Sequence, residues 1–343
     1  MRKLLNILYV TSPDAYLAKE GETVLVLIGE ETKLKIPIHN LEGIVCFGYT
    51  GVSPALMHLC AERNVALSFL SESGKFRAKV TGRVNGNVLL RRKQYRTADQ
   101  PEESLLIAKS FIFGKLFNCR CVLQRYIRDH EEKGNTDAVG EGIKTLSINL
   151  QKATDCMNLD ILRGIEGEGA RTYYGLFNCL ILESKQLFQF NGRSRRPPRD
   201  PVNALLSFLY TLLAHDCSAA LETVGLDPQV GFLHRERPGR PSLALDLMEE
   251  LRPYLVDRLT LTLINNRQVD IKDFTFKESG GVIMNDDTRK NIIAAWQRRK
   301  QEEITHPFLG EKIPIGLIPY TQALLLARYL RGDLEAYPPF LMK

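Results

Sequence analysis

The sequence predicts an α+β protein of two domains, a small β-rich N-terminal domain followed by a larger, mostly α-helical domain. Three observations predict it. Apolar and polar residues alternate with a period of two within the first ninety or so residues. The composition turns basic near Leu90, in RRKQYR. From Pro101 onward, long segments follow helical spacing and strand signals are few. A length of 343 residues accommodates two domains. The expected boundaries are residues 1–90 for the β-rich domain, 91–100 for a basic linker and 101–343 for the helical domain.

The elements follow in order. MRKLLNILYV carries two basic residues and a short apolar run but no small-residue cleavage site, so it reads as a first strand, with a turn at Thr11–Asp14. TVLVLI and KLKIPI form a strand pair around Gly29-Glu30-Glu31, with Leu34, Ile36 and Ile38 on a half-buried face. Pro37 cannot donate to a ladder, which puts that strand at an edge or at its end. Ser53-Pro54 reads as an N-cap and first helical residue of a short helix running to Glu62. VALSFL and FRAKVTGRV return to strand. SLLIAKSFIFGKLFNCRCVLQRYI and PVNALLSFLYTLLAHDCSAALETVG are long helices, the second stopped at Gly225. Between them lies the proline-rich NGRSRRPPRDP, whose arginines read as a solvated, mobile loop.

Composition excludes several classes. An apolar fraction of 44% with 25% charged residues supports a packed core and excludes a disordered chain. The net charge of +6 is compatible with a polyanion partner without demanding one. Seven cysteines, an odd number without a CxxC pair, point to a reduced, cytoplasmic setting; Cys119 and Cys121 read as helix packing. No uninterrupted apolar run approaches a membrane span, so no membrane partner is expected.

Two segments carry candidate chemistry. In RGIEGEGAR three glycines interrupt an otherwise helical face. With Leu162 at zero, Glu166 falls at about 40°, inside the apolar stripe, and Glu168 well off it, at about 240°. A carboxylate aimed at the apolar side needs a partner. Arg163 or an arginine of RSRRPPR is the readiest one. The second segment is GFLHRERPGRPSLALDLMEELRP. Ser242 reads as the N-cap of a helix whose apolar stripe is Ala244, Leu247, Met248 and Leu251. Asp246, Glu249 and Glu250 fall on the opposite side, where a solvated acidic face is the commoner account. His234, taken alone, reads as an ordinary surface or core residue.

Taken together, these bland accounts weaken. One buried-side glutamate, one histidine and one or two helix-borne carboxylates make a mixed oxygen and nitrogen donor set that suits Mg²⁺ or Mn²⁺ better than Zn²⁺. Arginines flank both segments, which suggests phosphodiester chemistry.

The blocks LRGIEGEGARTYY, DPVNALLSFLYTLL and GLDPQVGFLHRERPGRPSLALDLMEELRPYLVDR resemble the signature blocks of the CRISPR-associated adaptation endonuclease/integrase family. SGGVIMNDDTRKNIIAAWQRR fits the same order, so the resemblance covers nearly the whole chain. It implies a homodimeric, metal-dependent DNA endonuclease and integrase that inserts short foreign fragments into a CRISPR repeat by 3′-hydroxyl attack. Its partners would be double-stranded DNA and the small second adaptation protein, and dimerisation would run through the β-rich domain. The family's metal ligands fall on Glu166, His234 and Glu249, with Asp246 as a supporting catalytic residue. Asp246 and Glu249 lie twelve and fifteen residues beyond His234, which leaves open which of them ligates. Arg193, Arg195, Arg196, Arg235 and Arg237 are the expected DNA contacts. Small residues beside Glu166 would let the DNA or another backbone approach. Two rival readings stand beside this one: a metal-dependent nuclease outside CRISPR adaptation, and a non-catalytic nucleic-acid-binding protein with Glu166 and the acidic helix in structural ion pairs.

Overall fold

A computed structural model describes residues 6–12, 14–72, 74–82, 87–130, 136–183 and 185–342. The expected first strand and turn are therefore described only in part, with residues 1–5 and Pro13 outside these ranges. The fold is α+β, with strands concentrated in the first eighty residues and helices thereafter. The chain divides into two compact units, Met1–Asn85 with Arg289–Gln301, and Gly86–Thr288 with Glu302–Lys343.

The first unit contains β1 (Asn6–Val10), β2 (Ala15–Glu20), β3 (Thr23–Ile28), β4 (Glu31–Pro37), β5 (Leu41–Phe47), β6 (Gly51–Val52), α1 (Pro54–Glu62), β7 (Ala66–Leu70) and β8 (Phe76–Val80). They form two four-stranded sheets, ordered β1-β5-β7-β8 and β4-β3-β2-β6. Leu17, Val24, Ile44, Leu56 and Leu67 are buried at its centre. Ser53 caps α1 as its spacing predicts, the hydroxyl accepting from the Leu56 amide at 3.2 Å. β4 is an edge strand and ends at Pro37. Its expected face is covered by degrees, with Leu34 exposed, Ile36 partly covered and Ile38, just past the strand, buried.

The second unit is helical: α2 (Val88–Ala98), α3 (Pro101–Asp129), α4 (Thr136–Asp155), α5 (Leu159–Gly175), α6 (Phe177–Leu180), α7 (Pro201–Val224), α8 (Ser242–Leu251) and α9 (Arg258–Asn265). A short hairpin follows, β9 (Phe274–Phe276) with β10 (Val282–Met284), then α10 (Asp286–Gln301), most of which belongs to the first unit. The chain closes with the hairpin β11 (Glu303–Thr305) and β12 (Lys312–Pro314) and with α11 (Ile318–Arg331). The basic stretch expected as a linker is helical. Asn87 caps α2, and Leu90, Gln94 and Thr97 bury one face at i, i+4, i+7 spacing, so the arginines ride on a packed helix. α7 is long and apolar enough by composition to cross a membrane, yet 67% of that window is buried within the unit, as in a core helix. Gly225 ends it at φ 88°, the left-handed conformation glycine adopts without strain. All seven cysteines are free.

α3 is the axis of this unit and packs against α4, α5 and α8. Gly114 lets α8 approach, since a Cβ there would lie 2.9 Å from the Glu250 Cβ. Four residues beyond Glu249, Pro253 has no N–H to donate to the Glu249 carbonyl. The chain widens into a π turn over Arg252–Asp257. The Glu250 carbonyl is taken up by Asn118 of α3, whose amide donates to it at 2.7 Å.

Glu250 ties the C-terminal segment to this core. Its carboxylate accepts from the Tyr337 hydroxyl, the Gln322 amide and the Phe340 backbone N–H, and among the described residues no cation pairs with it. Burial outweighs those bonds and pushes its carboxyl up to about 7. A raised carboxyl favours the folded state most at pH below the ordinary 4.5, and that contribution is lost as pH rises to about 7. Between pH 5 and pH 8 the wild type should lose up to about 3 kcal/mol of stability relative to Glu250→Gln in urea unfolding.

Of the three glycines around Glu166, Gly164 and Gly167 face open space, whereas a Cβ on Gly169 would collide with Leu116 of α3. Gly164→Ala should therefore stabilise the fold by about 0.5–1 kcal/mol. Gly169→Ala should destabilise it by about 1–3 kcal/mol in the same measurement.

Candidate active site

Three helices and one loop converge on the site, all within the second unit. α5 supplies Glu166, α8 supplies Asp246 and Glu249, the loop before α8 supplies His234, and α3 supplies Lys115.

α8 starts at Ser242, which does not act as an N-cap. The Leu243 amide is met instead by the Pro228 carbonyl at 2.9 Å. The acidic face of α8 is not solvated, since Asp246, Glu249 and Glu250 are all almost fully buried. The loop from Gly231 folds over Asp246, where the amides of Phe232 and Leu233 donate to Oδ2 at 2.6 and 2.9 Å. The His234 amide reaches Oδ1 at 2.9 Å. Gly231 makes the wrap possible, because a Cβ there would lie 2.6 Å from Asp246 Oδ2 and 2.8 Å from the Ser242 backbone. His234 Nδ1 lies 2.6 Å from Asp246 Oδ1. A carboxylate only accepts, so Nδ1 carries a proton; in the neutral ring the lone pair is then on Nε2, which lies 3.8 Å from Glu249 Oε1. With four donors on its two oxygens, Asp246 orients the histidine, while Glu249 faces the site.

Glu249 sits among cations. Its Oε1 is 3.0 Å from Arg252 Nη1 and its Oε2 is 2.7 Å from Lys115 Nζ. Burial alone would raise this carboxyl, but Arg252 and Lys115 beside it hold it down at about 2. Arg252 lies over the Tyr210 ring, and Tyr210 joins Tyr174 to the buried Asp257 through its hydroxyl. Burial pushes the Asp257 carboxyl up to about 6.

Glu166 is partly exposed, with 27% of its side chain accessible, and its partner is neither Arg163 nor an arginine of RSRRPPR. It pairs with the Lys115 ammonium. Arg163 is engaged elsewhere, with Asp160 at 2.6 Å and the Leu233 carbonyl at 2.8 Å. Asp160 also holds Arg235 at 2.8 Å, fastening the histidine loop to the start of α5. A cleft of about 370 Å³ opens over Glu166 and His234, rimmed by Arg163, Arg235, Arg237 and Arg240.

The arginine loop divides. Arg193 is half-buried, its guanidinium donating to Ser194 O, Asn203 Oδ1 and Ser207 Oγ, so this part of the loop is fastened to α7. Arg195 and Arg196 are exposed. Lys115 is the residue the sequence reading missed. It lies between Ile112 and Cys119 on the buried face of α3, the same stripe criterion that singled out Glu166.

A model of the family described as CRISPR associated protein Cas1 matches residues 8–298. The chain belongs to the Cas1 family. Among curated relatives, the CRISPR-associated endonuclease Cas1 1 of Chlorobaculum tepidum is 50% identical over 343 residues, covering all of both chains. The CRISPR-associated endonuclease Cas1 2 of Rhodospirillum rubrum is 52% identical, again over all of both chains. Among solved structures, a casposase bound to integration product matches with a TM-score of 0.85 at 23% identity, covering 99% of this chain and 95% of that one. That likeness is one of fold.

Among the described residues of this Cas1-family chain, no three acidic, histidine or cysteine side chains stand close enough together to hold an ion as they are. Lys115 occupies the ground between two of them. The donor chemistry nevertheless fits a divalent ion. Glu249 Oε2 is buried within ion-pair reach of Lys115 but without a well-directed hydrogen bond, and Glu166 and the Nε2 of His234 border the same cleft.

Asp246→Asn puts an amide NH₂ against backbone donors. It should lower stability by about 2–4 kcal/mol in denaturant unfolding.

Proposed function

We propose that this Cas1-family chain is a metal-dependent DNA endonuclease and integrase of CRISPR adaptation. It inserts short DNA fragments into a CRISPR repeat as a homodimer, working with the small second adaptation protein. The observation that carries the reading is the convergence of Glu166, Glu249 and the Nε2 of His234 beside a cleft rimmed by four arginines. Its Cas1 relatives bear the name endonuclease, and the casposase of similar fold was captured with an integration product.

Glu166, Glu249 and His234 are the residues that would hold Mg²⁺ or Mn²⁺. When bound, the ion supplies Lewis acidity, lowering the pKa of the attacking 3′-hydroxyl or water and stabilising charge on the phosphoryl oxygens. Asp246 keeps the His234 ring in the orientation and tautomer that present Nε2. Arg252, 3.0 Å from Glu249 Oε1, is the largest of the charges that keep that carboxylate ionised. Arg235 and Arg237 at the rim, with Arg195 and Arg196 on their loop, are suited to backbone phosphates. Arg193 is already bonded to protein groups, so its part is to shape the loop. Gly164 and Gly167, open on the exposed side of α5, leave room for the duplex beside Glu166.

The non-catalytic reading draws on the ion pairs of Lys115 with Glu166 and Glu249, and one assay separates all three readings. The protein and its small partner are incubated with a short duplex bearing 3′-hydroxyl ends and a supercoiled plasmid carrying the repeat, with Mn²⁺ or with chelator. Metal-dependent joining at the repeat is expected. It should fall by roughly 10²-fold or more in Glu166→Ala, with the circular dichroism spectrum unchanged. Cleavage without joining would favour a nuclease outside adaptation. Equal joining by a folded Glu166→Ala would make Glu166 an ion-pair residue.

A further inference from the structure

Lys115 does more than fill a gap in the core. Its ammonium is almost fully buried, and it touches one carboxylate oxygen from each of two helices, Glu166 on α5 and Glu249 on α8. Those are the two carboxylates assigned to the ion in the proposed function, on which this inference rests. A buried ammonium and a divalent cation seek the same thing from such a pair, and both cannot sit between the two carboxylates at once. Arg252 does not compete in this way, because it approaches the other oxygen of Glu249.

We propose that Lys115 is an internal counter-cation, and that divalent ion binding is an exchange in which the ion enters between Glu166 and Glu249 and the Lys115 ammonium leaves them. The exchange explains why an ammonium stands between Glu166 and Glu249. Two carboxylates brought together in a poorly solvated place repel each other unless a positive charge lies between them. Lys115 supplies that charge from α3, the element that also fastens α8 through Asn118. A four-carbon stem gives the ammonium room to swing, which a guanidinium held by two carboxylates in fork geometry would lack. On this view the chain trades ion affinity for a preformed site.

The test is Mn²⁺ binding to the full-length protein, followed by calorimetry and by the free-ion electron paramagnetic resonance signal, without DNA. Lys115→Met removes the competitor. Mn²⁺ should then bind roughly ten- to hundredfold more tightly. The ion-free protein should melt earlier, and added Mn²⁺ should raise its melting temperature by more than it raises that of wild type. Lys115→Arg keeps the charge with a stronger grip on carboxylates, so it should bind Mn²⁺ more weakly than wild type; it keeps the inference falsifiable if Lys115→Met does not fold. Unchanged or weaker Mn²⁺ binding in a folded Lys115→Met overturns the exchange, as does unchanged or tighter binding in Lys115→Arg. Glu166→Ala separates this failure from that of the metal site. If Glu166→Ala loses Mn²⁺ binding and the Lys115 variants leave it unchanged, the site stands and the exchange falls. If Glu166→Ala binds Mn²⁺ as wild type does, the ligand assignment and the exchange fall together.

Discussion

The second unit depends on one buried cation. Lys115 stands on α3 where its ammonium meets Glu166 of α5 and Glu249 of α8, so a single charge cluster ties three helices together. Burial works against the ammonium, but Glu249 and Glu166 outweigh it and keep it protonated above its ordinary range. The neighbouring packing is shaped to bring these charges together. Gly114 lets α8 close on α3, and Gly169 lets α5 seat against Leu116.

Three successive acidic positions on α8 are buried, and each is satisfied by a different means. Asp246 is wrapped by backbone amides and a histidine ring, Glu249 is flanked by Lys115 and Arg252, and Glu250 meets only neutral donors. The consequences diverge accordingly. Glu249 stays ionised far below neutrality, while Glu250 titrates near it, although the two are adjacent and chemically identical. Surroundings decide the role: one carboxylate orients a histidine, one pairs with Lys115 and Arg252, and one fastens the C-terminal segment.

The π turn belongs to the same logic. Pro253 withholds a donor from the Glu249 carbonyl, and the wider turn carries Asp257 under Tyr210, while Arg252, its N–H still on the Met248 carbonyl, sits beside Glu249 at ordinary i, i+3 spacing. A regular helix through this point would set Asp257 at another angle from α8. The local rule that proline breaks is thus part of how the site is assembled.

Local pattern in the sequence determined the order of elements, the Ser53 cap, the edge position of β4 and the stop at Gly225. Caps, turns and helical faces are set by residues a few positions apart, so they can be read from one segment at a time. Tertiary structure decided the rest, because it depends on which segments meet. The stripe rule reached Glu166 on α5, and Lys115 lies on the equivalent stripe of α3, but only packing paired them. The acidic side of α8 resembled a solvated face because spacing cannot reveal a loop folded over it. The basic stretch after Leu90 resembled a linker because its buried face rests on Leu90, Gln94 and Thr97, too few apolar residues to outweigh its charge in a reading of composition. A buried charge is tolerated only with its partner, and here the partners come from distant parts of the chain.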